Sequence, residues 1–213
     1  MSQVKSVILA DNTRPAKLPL PENIVQLCRD AGYDVRGIPI IDESRGVTSA
    51  WVKYGREVTM GEALTQDWVG QVLNASPDAA VRIPKVYHAF EHGAFGYIVM
   101  EYIDGSECDD SDALQVAKAV ESLIRVKGPT TAPGPVGGGP ITHRFFIEWK
   151  SSVTYNTVQV LEKHVNRVRM YYSFHTYALL TWGNDRFSHT WVSLNGSASM
   201  TKSSMAYVFA PPT

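Results

Sequence analysis

The sequence predicts an α+β fold, in which a small antiparallel sheet packs against helices. Four segments have apolar residues three or four positions apart, which is the spacing of an amphipathic helix. Between them lie short β-type runs in pairs, and a polar, glycine-containing turn connects the members of each pair. The chain has 213 residues, of which 44% are hydrophobic, so it can bury a sizeable core and wholesale disorder is excluded.

The first half of the chain supplies two of the helices and one pair of strands. The first predicted helix covers residues 20–31, and Gly32 lies just past its end as a stop signal. Two β-type runs follow within residues 36–54 and are joined by the polar segment DESRG. The apolar positions of residues 59–74 then repeat with the period of a second helix.

A second hairpin is predicted from two alternating runs in the middle of the chain. KVYHAF and YIVMEYI read as strands, and the glycines of EHGAFG make it the turn between them. An acidic stretch then leads into a helix at 111–126, with Ser111 or Asp112 at its N-cap.

The last predicted elements are a loop, a helix and an irregular tail. Residues 128–140 contain nine glycines or prolines in thirteen and are predicted as a loop, and a helix follows at about 157–168. The composition then changes abruptly, since residues 168–213 hold only four charged residues against 37 in the first 167. The segment 169–213 shows no helical period and is predicted to be a divergent, irregular tail.

The charge balance bears on which partners are expected. Lys and Arg total 20 and Asp and Glu total 21, a net charge of −1. Nucleic acids and anionic membranes both require a basic excess, so neither is expected as a partner. No segment approaches the roughly 20 apolar residues of a membrane span, and we expect a cytoplasmic protein. The two cysteines, Cys28 and Cys108, and the histidines show no metal-ligand spacing, so no metal site is predicted.

The residues that indicate chemistry are a lysine at the end of a predicted strand and a glutamate in the helix that follows it. An ion pair between Lys53 and Glu62 would fix the ammonium group on nucleotide phosphates. The later strand YIVMEYI runs out into a polar turn, where exposed backbone groups could hydrogen-bond the edge of an adenine ring.

These features occur in an ordered series of motifs: WVKYG, VT-x-x-EA, IPKVYHAF and IVMEYIDG, followed by the loop PGPVGGGPITHRFF and the segment 147–155. The series resembles the small lobe of the protein-kinase-like fold, in the aminoglycoside phosphotransferase-related branch, and is closest to fungal proteins of that group. The resemblance covers roughly residues 35–168. It implies a kinase-like N-terminal lobe at 1–103 and a truncated helical lobe at 104–168.

The resemblance also implies a role for five residues. Lys53 would contact the phosphates, Glu62 would be its helix partner, and Met100 would lie at the back of the adenine pocket. Glu101 and Ile103 would supply backbone contacts from the hinge. The implied cofactors are ATP and magnesium, and the implied reaction is phosphoryl transfer to the hydroxyl of a small-molecule acceptor.

Simpler interpretations stand beside these roles. Lys53 could be a solvated surface residue, Glu62 could complement the helix dipole, and Met100 could be a core residue. The turn at 42–49 is the candidate phosphate-covering turn, but it carries one glycine and two acids, which leaves Ser44, Thr48, Ser49 and backbone N–H groups as donors.

The loop at 134–139 lacks the Lys-Ser/Thr that follows a phosphate-binding loop, so we favour an insertion near the substrate side. His143 and Arg144, which follow it, could contribute to a substrate pocket or could lie on the surface.

Two parts of the phosphoryl-transfer machinery are missing from the sequence. In the family that the chain resembles, an H-G-D-x-x-x-x-N segment and a second aspartate for magnesium follow the helix that here ends near Val168. Asp185 is the only aspartate after that point, and its neighbours do not match either segment. No catalytic residue and no magnesium ligand is therefore predicted, and we expect a phosphotransferase-type domain that is catalytically incomplete.

Two alternatives remain. One is a non-catalytic pseudokinase module that binds a nucleotide or a protein, and the other is a gene-model fragment without function. An incomplete large lobe would leave the apolar helix faces at Leu123/Ile124 and Leu161/Val165 exposed, so self-association through them is expected.

Overall fold

The computed structural model describes residues 5–8, 15, 17–35, 37–77, 79–106, 108–146 and 148–171, with the side chains of 5–8 and 168–171 left out. Over these ranges the chain forms five strands and four α-helices, which confirms the α+β class. In chain order they are β1 Lys5–Ile8, α1 Pro21–Ala31, β2 Gly37–Asp42, β3 Val47–Gly55, α2 Met60–Leu73, β4 Val86–His92, β5 Phe95–Met100, α3 Ala113–Ile124 and α4 Val158–Tyr171.

The strands form one antiparallel sheet in the order β1-β4-β5-β3-β2. The two hairpins predicted from the sequence supply the four strands β2 to β5, and β1 adds an edge strand beside β4 that the sequence analysis did not predict. Pro39 lies on β2, the other edge strand, where its missing backbone N–H interrupts no central ladder. The central pair is β3 and β5, in which Trp51 lies opposite Met100 and Lys53 opposite Ile98.

Helix α1 covers one face of this sheet. Leu20 precedes the helix, Pro21 opens it with a φ suited to the first turn, and Gly32 ends it at a φ of +88°. Its buried face packs against apolar side chains of β2, β3, β4 and β5. The cluster consists of Ile24, Val25, Cys28, Ile40, Ala50, Val52, Tyr54, Tyr87, Phe90, Tyr97 and Val99.

Helix α2 covers the opposite face and also contacts the helical part of the chain. Ala63 joins a cluster with residues of β4 and β5, namely Val86, Ala89, Ile98 and Met100, together with Val58. The C-terminal half of α2 packs through Val69 and Leu73 against Ala119 and Leu123 of α3. Helix α2 is thus shared between the sheet and α3.

This packing corrects one expectation about exposed surface. Leu123, predicted to be exposed, is only 4% exposed because that face of α3 is turned toward α2. Its neighbour Ile124 is 55% exposed, and Leu161 and Val165 are partly buried. Self-association therefore remains a prediction only for the faces other than that of Leu123.

Two predicted boundaries are also wrong. Strand β5 ends at Met100, so residues 101–103, which have the composition of a strand, lie outside it. The hairpin turn between β4 and β5 is shorter than EHGAFG, because His92 already pairs with Phe95 and Gly93 turns the chain at a φ of +64°.

The start of α3 also differs from the prediction. A single 3₁₀ turn at Asp110–Asp112 precedes it, and Asp109 caps that turn in a capping box. The last helix runs on to Tyr171, a few residues beyond the predicted end.

No helix in the part of the chain described here has both the length and the apolar character needed to cross a membrane.

Replacing Gly96 should destabilise the fold, because β5 is crossed there by the backbone that leads into α2. A Cβ on Gly96 would overlap the carbonyl group of Val58. Relieving that overlap would require a shift of the backbone, which costs free energy of folding. We expect Gly96→Ala to lower the free energy of unfolding by about 2–4 kcal/mol in urea titrations. Gly70→Ala is the matched control: its Cβ has ordinary clearance of 3.6 Å within α2, and alanine favours the helix. Equal stability of the two variants would contradict the close approach.

Alkaline pH should lower the free energy of unfolding, because Cys28, Tyr54 and Tyr97 are buried between α1 and the sheet. Burial raises the pKa of Cys28 from 9.0 to about 12, and it also raises the pKa values of Tyr54 and Tyr97. Below pH 9 these groups are neutral in both states; above it the unfolded chain ionises first, so stability falls as pH rises from about 9 toward 12. Urea titrations between about pH 7.5 and 10.5 should show this decline, with a smaller slope for Cys28→Ala. A free energy of unfolding that stays constant from about pH 7.5 to 10.5 would contradict it.

Candidate functional site

The candidate site lies on the α2 face of the sheet and is built around Lys53. Buried and partly exposed side chains alternate along β3, so Lys53 and Trp51 share this face while Val52 and Tyr54 point toward α1. The ammonium group of Lys53 forms an ion pair with the carboxylate of Glu62 in the first turn of α2. The two side chains are 23% and 22% exposed, so the pair is reachable from solvent.

The position of Glu62 follows from the way α2 begins. The hydroxyl oxygen of Thr59, the N-cap residue, accepts a hydrogen bond from the Glu62 N–H at 3.1 Å. The residue before the cap, Val58, is held against β5 because Gly96 has no side chain. The Thr59 cap and the close approach of Val58 to Gly96 therefore position the first turn of α2 over the sheet.

Met100 ends β5 beneath α2 and is only 7% exposed. The side-chain amide of Gln66 contacts its sulfur at 3.6 Å and donates a hydrogen bond to the carbonyl oxygen of Pro84 at 2.9 Å. This polar side chain is buried, and its two contacts tie α2 to the start of β4 and the end of β5. Met100 is thus a core residue at the end of β5.

The predicted hinge residues, Glu101 and Ile103, follow the end of β5 and belong to no helix or strand. The backbone N–H of Glu101 donates to the carbonyl oxygen of Lys85 at 2.8 Å, and its carboxylate is held by Arg82 and by the Lys85 N–H. The backbone N–H of Glu101 is therefore used within the protein, whereas no hydrogen bond among the described residues engages its carbonyl group. No hydrogen bond among the described residues engages the backbone of Ile103.

In the turn between β2 and β3, the carboxylate of Asp42 accepts hydrogen bonds from Ser44 of the same turn. The hydroxyl and the backbone N–H of Ser44 both donate to the Asp42 carboxylate, and Lys17 donates to the Ser44 oxygen at 2.7 Å. The Ser44 hydrogen bonds are the main cause of the lowered pKa of Asp42. The Ser49 hydroxyl donates to the carbonyl oxygen of Ile40 at 3.1 Å. Two of the donors considered for a phosphate are thus already used within the turn.

The loop rich in glycine and proline packs onto α2. The N–H of Val136 donates to the hydroxyl oxygen of Thr65 at 3.0 Å, and a Cβ on Gly61 would come within 2.8 Å of Pro135. Gly137, at a φ of +87°, lies against Leu64. Residues 135–137 of the loop therefore pack against α2, the helix that carries Glu62.

His143 and Arg144, considered for a substrate pocket, lie just beyond this loop. Burial, with a smaller contribution from Arg144, lowers the pKa of His143, and the His143 Nδ1 accepts a hydrogen bond from the Phe145 N–H at 3.1 Å. No ion pair or hydrogen bond links them to Lys53 or Glu62 among the contacts described.

The family resemblance implies magnesium, for which the sequence analysis predicts no ligand. Across the described ranges no group of three or more His, Cys, Asp or Glu side chains could hold a metal ion. Asp185 lies outside the described residues. We therefore assign no metal ligand among the described residues.

The structure brings Lys53 and Glu62 together in an ion pair and places Lys53 opposite Ile98, two residues before the end of β5. It adds Gln66 and Trp51, which the sequence analysis passed over; the Trp51 ring lies over Gly37 of β2, where a Cβ would come within 2.5 Å of its Nε1. The only available signal for Trp51 was the alternation of β3, which places it two residues from Lys53 on the same face. No protein-family model, curated protein or solved structure matches the chain. The kinase-like assignment therefore depends on the motif series and the site geometry, and it enters below as a proposal.

The ion pair should contribute measurable but modest stability, because a fifth of each side chain remains in water. We expect a double-mutant cycle of Lys53→Met and Glu62→Gln to give a coupling energy of about 0.5–1 kcal/mol in urea unfolding. The control pair is Arg125 and Glu121 on α3, which are 74% and 56% exposed and should couple more weakly. Coupling of the inner pair that does not exceed that of the control pair would contradict the arrangement.

Proposed function

We propose that the sheet and α2 form the nucleotide-binding lobe of a kinase-like protein. Lys53 contacts the phosphates of ATP, Glu62 holds the ammonium group in place, and the backbone of Glu101 and Ile103 contacts the adenine edge. The observation that carries the proposal is the Lys53–Glu62 ion pair between β3 and α2, because it presents a fixed, partly exposed cation on one face of the sheet.

The register of the sheet supports the pairing of these two contacts. Lys53 lies opposite Ile98, two residues before β5 ends at Met100. Toward that end of β5 the chain leaves the sheet at Glu101 with a carbonyl group directed to no described partner. The cation on β3 and the segment that follows β5 are therefore two residues apart in the ladder between these strands, which is compatible with a nucleotide that has phosphates at one end and a base at the other.

The proposal extends to binding only. Phosphoryl transfer to a small-molecule hydroxyl, which the family resemblance implies, needs a carboxylate beside the acceptor and charge compensation for the phosphoryl group. No described residue is assigned as that carboxylate, and the charge compensation in this scheme comes from the ammonium group of Lys53, which transfers no proton. Nucleotide binding without transfer, as in a pseudokinase, requires no further group than those described.

ATP should stabilise the folded protein through Lys53. At a concentration 100 times the dissociation constant, a ligand specific for the folded state adds about 2.7 kcal/mol, which raises the melting temperature by roughly 5–10 °C at this chain length. We expect that rise with ATP, measured with and without magnesium, and its loss in Lys53→Ala. Lys118→Ala, which removes an exposed lysine from α3, is the control and should keep it. An unchanged melting temperature at saturating ATP, or a rise that survives Lys53→Ala, would contradict the proposal.

A further inference from the structure

The segment 127–137, which we call the strap, runs along helix α2 and contacts it at both of its ends. At one end, the Trp68 Nε1 donates a hydrogen bond to the Lys127 carbonyl oxygen at 3.1 Å. At the other, the Val136 N–H donates to the Thr65 hydroxyl oxygen at 3.0 Å. The paired residues are 59 and 71 positions apart in the sequence, so both contacts are tertiary. The strap is therefore attached to the helix.

The strap covers the side of α2 that faces away from the sheet. Ala63 packs on residues of β4 and β5, and Gln66 donates to the Pro84 carbonyl oxygen, so both are directed toward the sheet. Thr65 and Trp68 follow them by two positions, which is a rotation of about 200° around the helix axis. Helix α2 is therefore held between the sheet and the strap.

Gly61, in the first turn of α2, provides the space for the strap. A Cβ there would come within 2.8 Å of the Pro135 Cβ and 2.9 Å of its Cγ, and a proline ring cannot turn aside because it is closed onto the backbone. The φ of Gly61 is not in the left-handed region, and glycine lowers the stability of a helix relative to alanine. Backbone conformation and helix propensity thus give no reason for a glycine here, whereas the contact with Pro135 does.

The strap meets α2 at the turn that carries Glu62. Gly61 immediately precedes Glu62, and the Thr65 hydroxyl that accepts the Val136 N–H also donates to the Gly61 carbonyl oxygen at 2.7 Å. The carboxylate of Glu62 in turn holds the ammonium group of Lys53. Displacement of the strap would therefore remove the outer contacts of the turn from which this carboxylate projects.

We propose that the strap positions Glu62 against Lys53, and that its docking on α2 is coupled to phosphate binding at Lys53. The inference rests on the proposed function for its ligand and extends it to regulation, because whatever releases the strap weakens phosphate binding. Such a coupling is reciprocal: a bound phosphate chain favours the docked strap by the same factor by which docking favours phosphate binding. Coupling factors between sites are typically about 5- to 150-fold.

Chemical labelling without nucleotide tests whether the strap positions Glu62. An amine attacks acetic anhydride only in its unprotonated form, and a carboxylate partner favours the protonated form. We expect Gly61→Ala to raise the acetylation rate of Lys53 roughly two- to fivefold, as Glu62→Gln does, which is the factor that an exposed ion pair supplies. The exposed Lys118 should react at an unchanged rate. Gly70→Ala, on the sheet side of α2 with a clearance of 3.6 Å, is the matched control.

Hydrogen exchange of the Val136 N–H, followed by NMR, reports whether the strap is docked, because this group is bonded to Thr65 in the docked state. We expect Gly61→Ala and Thr65→Val to speed this exchange. Thr65→Ser keeps the hydroxyl and should leave the exchange slow. Melting temperatures without ligand show whether each variant is folded, and Thr65→Val serves where Gly61→Ala does not fold.

Inorganic tripolyphosphate tests the coupling itself. In calorimetric titrations its affinity should fall about fivefold or more in Gly61→Ala and Thr65→Val, and it should be unchanged in Gly70→Ala. Saturating tripolyphosphate should in turn slow the exchange of the Val136 N–H in the wild-type protein by a similar factor.

The outcomes separate this inference from the proposed function. If the Val136 N–H exchanges faster in Gly61→Ala but Lys53 is acetylated at the wild-type rate, the strap does not position Glu62 and the inference is overturned, while tripolyphosphate binding would leave the proposed function standing. Unchanged protection of Val136 in Gly61→Ala would overturn it as well. If the wild-type protein binds neither ATP nor tripolyphosphate, the proposed function and the coupling are overturned, and acetylation of Lys53 still decides whether the strap positions Glu62.

Discussion

The ion pair between Lys53 and Glu62 is the interaction on which the candidate site depends, and it is set by packing outside the pair. Gly96 admits the backbone of Val58 across β5, and this brings the Thr59 cap and the first turn of α2 over the sheet. Glu62 then reaches the ammonium group of a lysine that β3 directs to the same face. A salt bridge this exposed adds little stability, so its significance lies in the orientation that it gives the cation.

Helix α2 connects this site to the rest of the described chain. Its first turn carries Glu62, its middle carries the buried Gln66, and its last turns pack on α3. The loop around Val136 is hydrogen-bonded to the same helix through Thr65. A shift of α3 or of this loop would therefore move α2 and, with it, the carboxylate that orients Lys53. Helix α2, which carries Glu62, thus packs against both the sheet and α3.

Local signals in the sequence predicted most of the fold and only part of the site. The periods of α1 and α2 and the turns of the two hairpins are local, so these elements lie where they were expected. Strand β1 was missed because four residues carry no usable period and its partner β4 is some 80 residues away. The end of β5 was misplaced since YIVMEYI keeps a strand composition through Ile103, whereas the ladder ends at Met100. Lys53 and Glu62 came from ordered motifs, but the seating of Trp51 on Gly37 depends on two strands meeting and has no local signal.

The central claim is that Lys53 lies at the phosphates of a bound nucleotide, and covalent labelling tests it most directly. An acyl phosphate derivative of ATP transfers its acyl group to a lysine amine held beside the phosphates and releases the nucleotide. Peptide mapping by mass spectrometry then locates the acyl group. The account predicts acylation at Lys53 that excess unmodified ATP suppresses. Labelling spread over the exposed lysines and unaffected by ATP would contradict it.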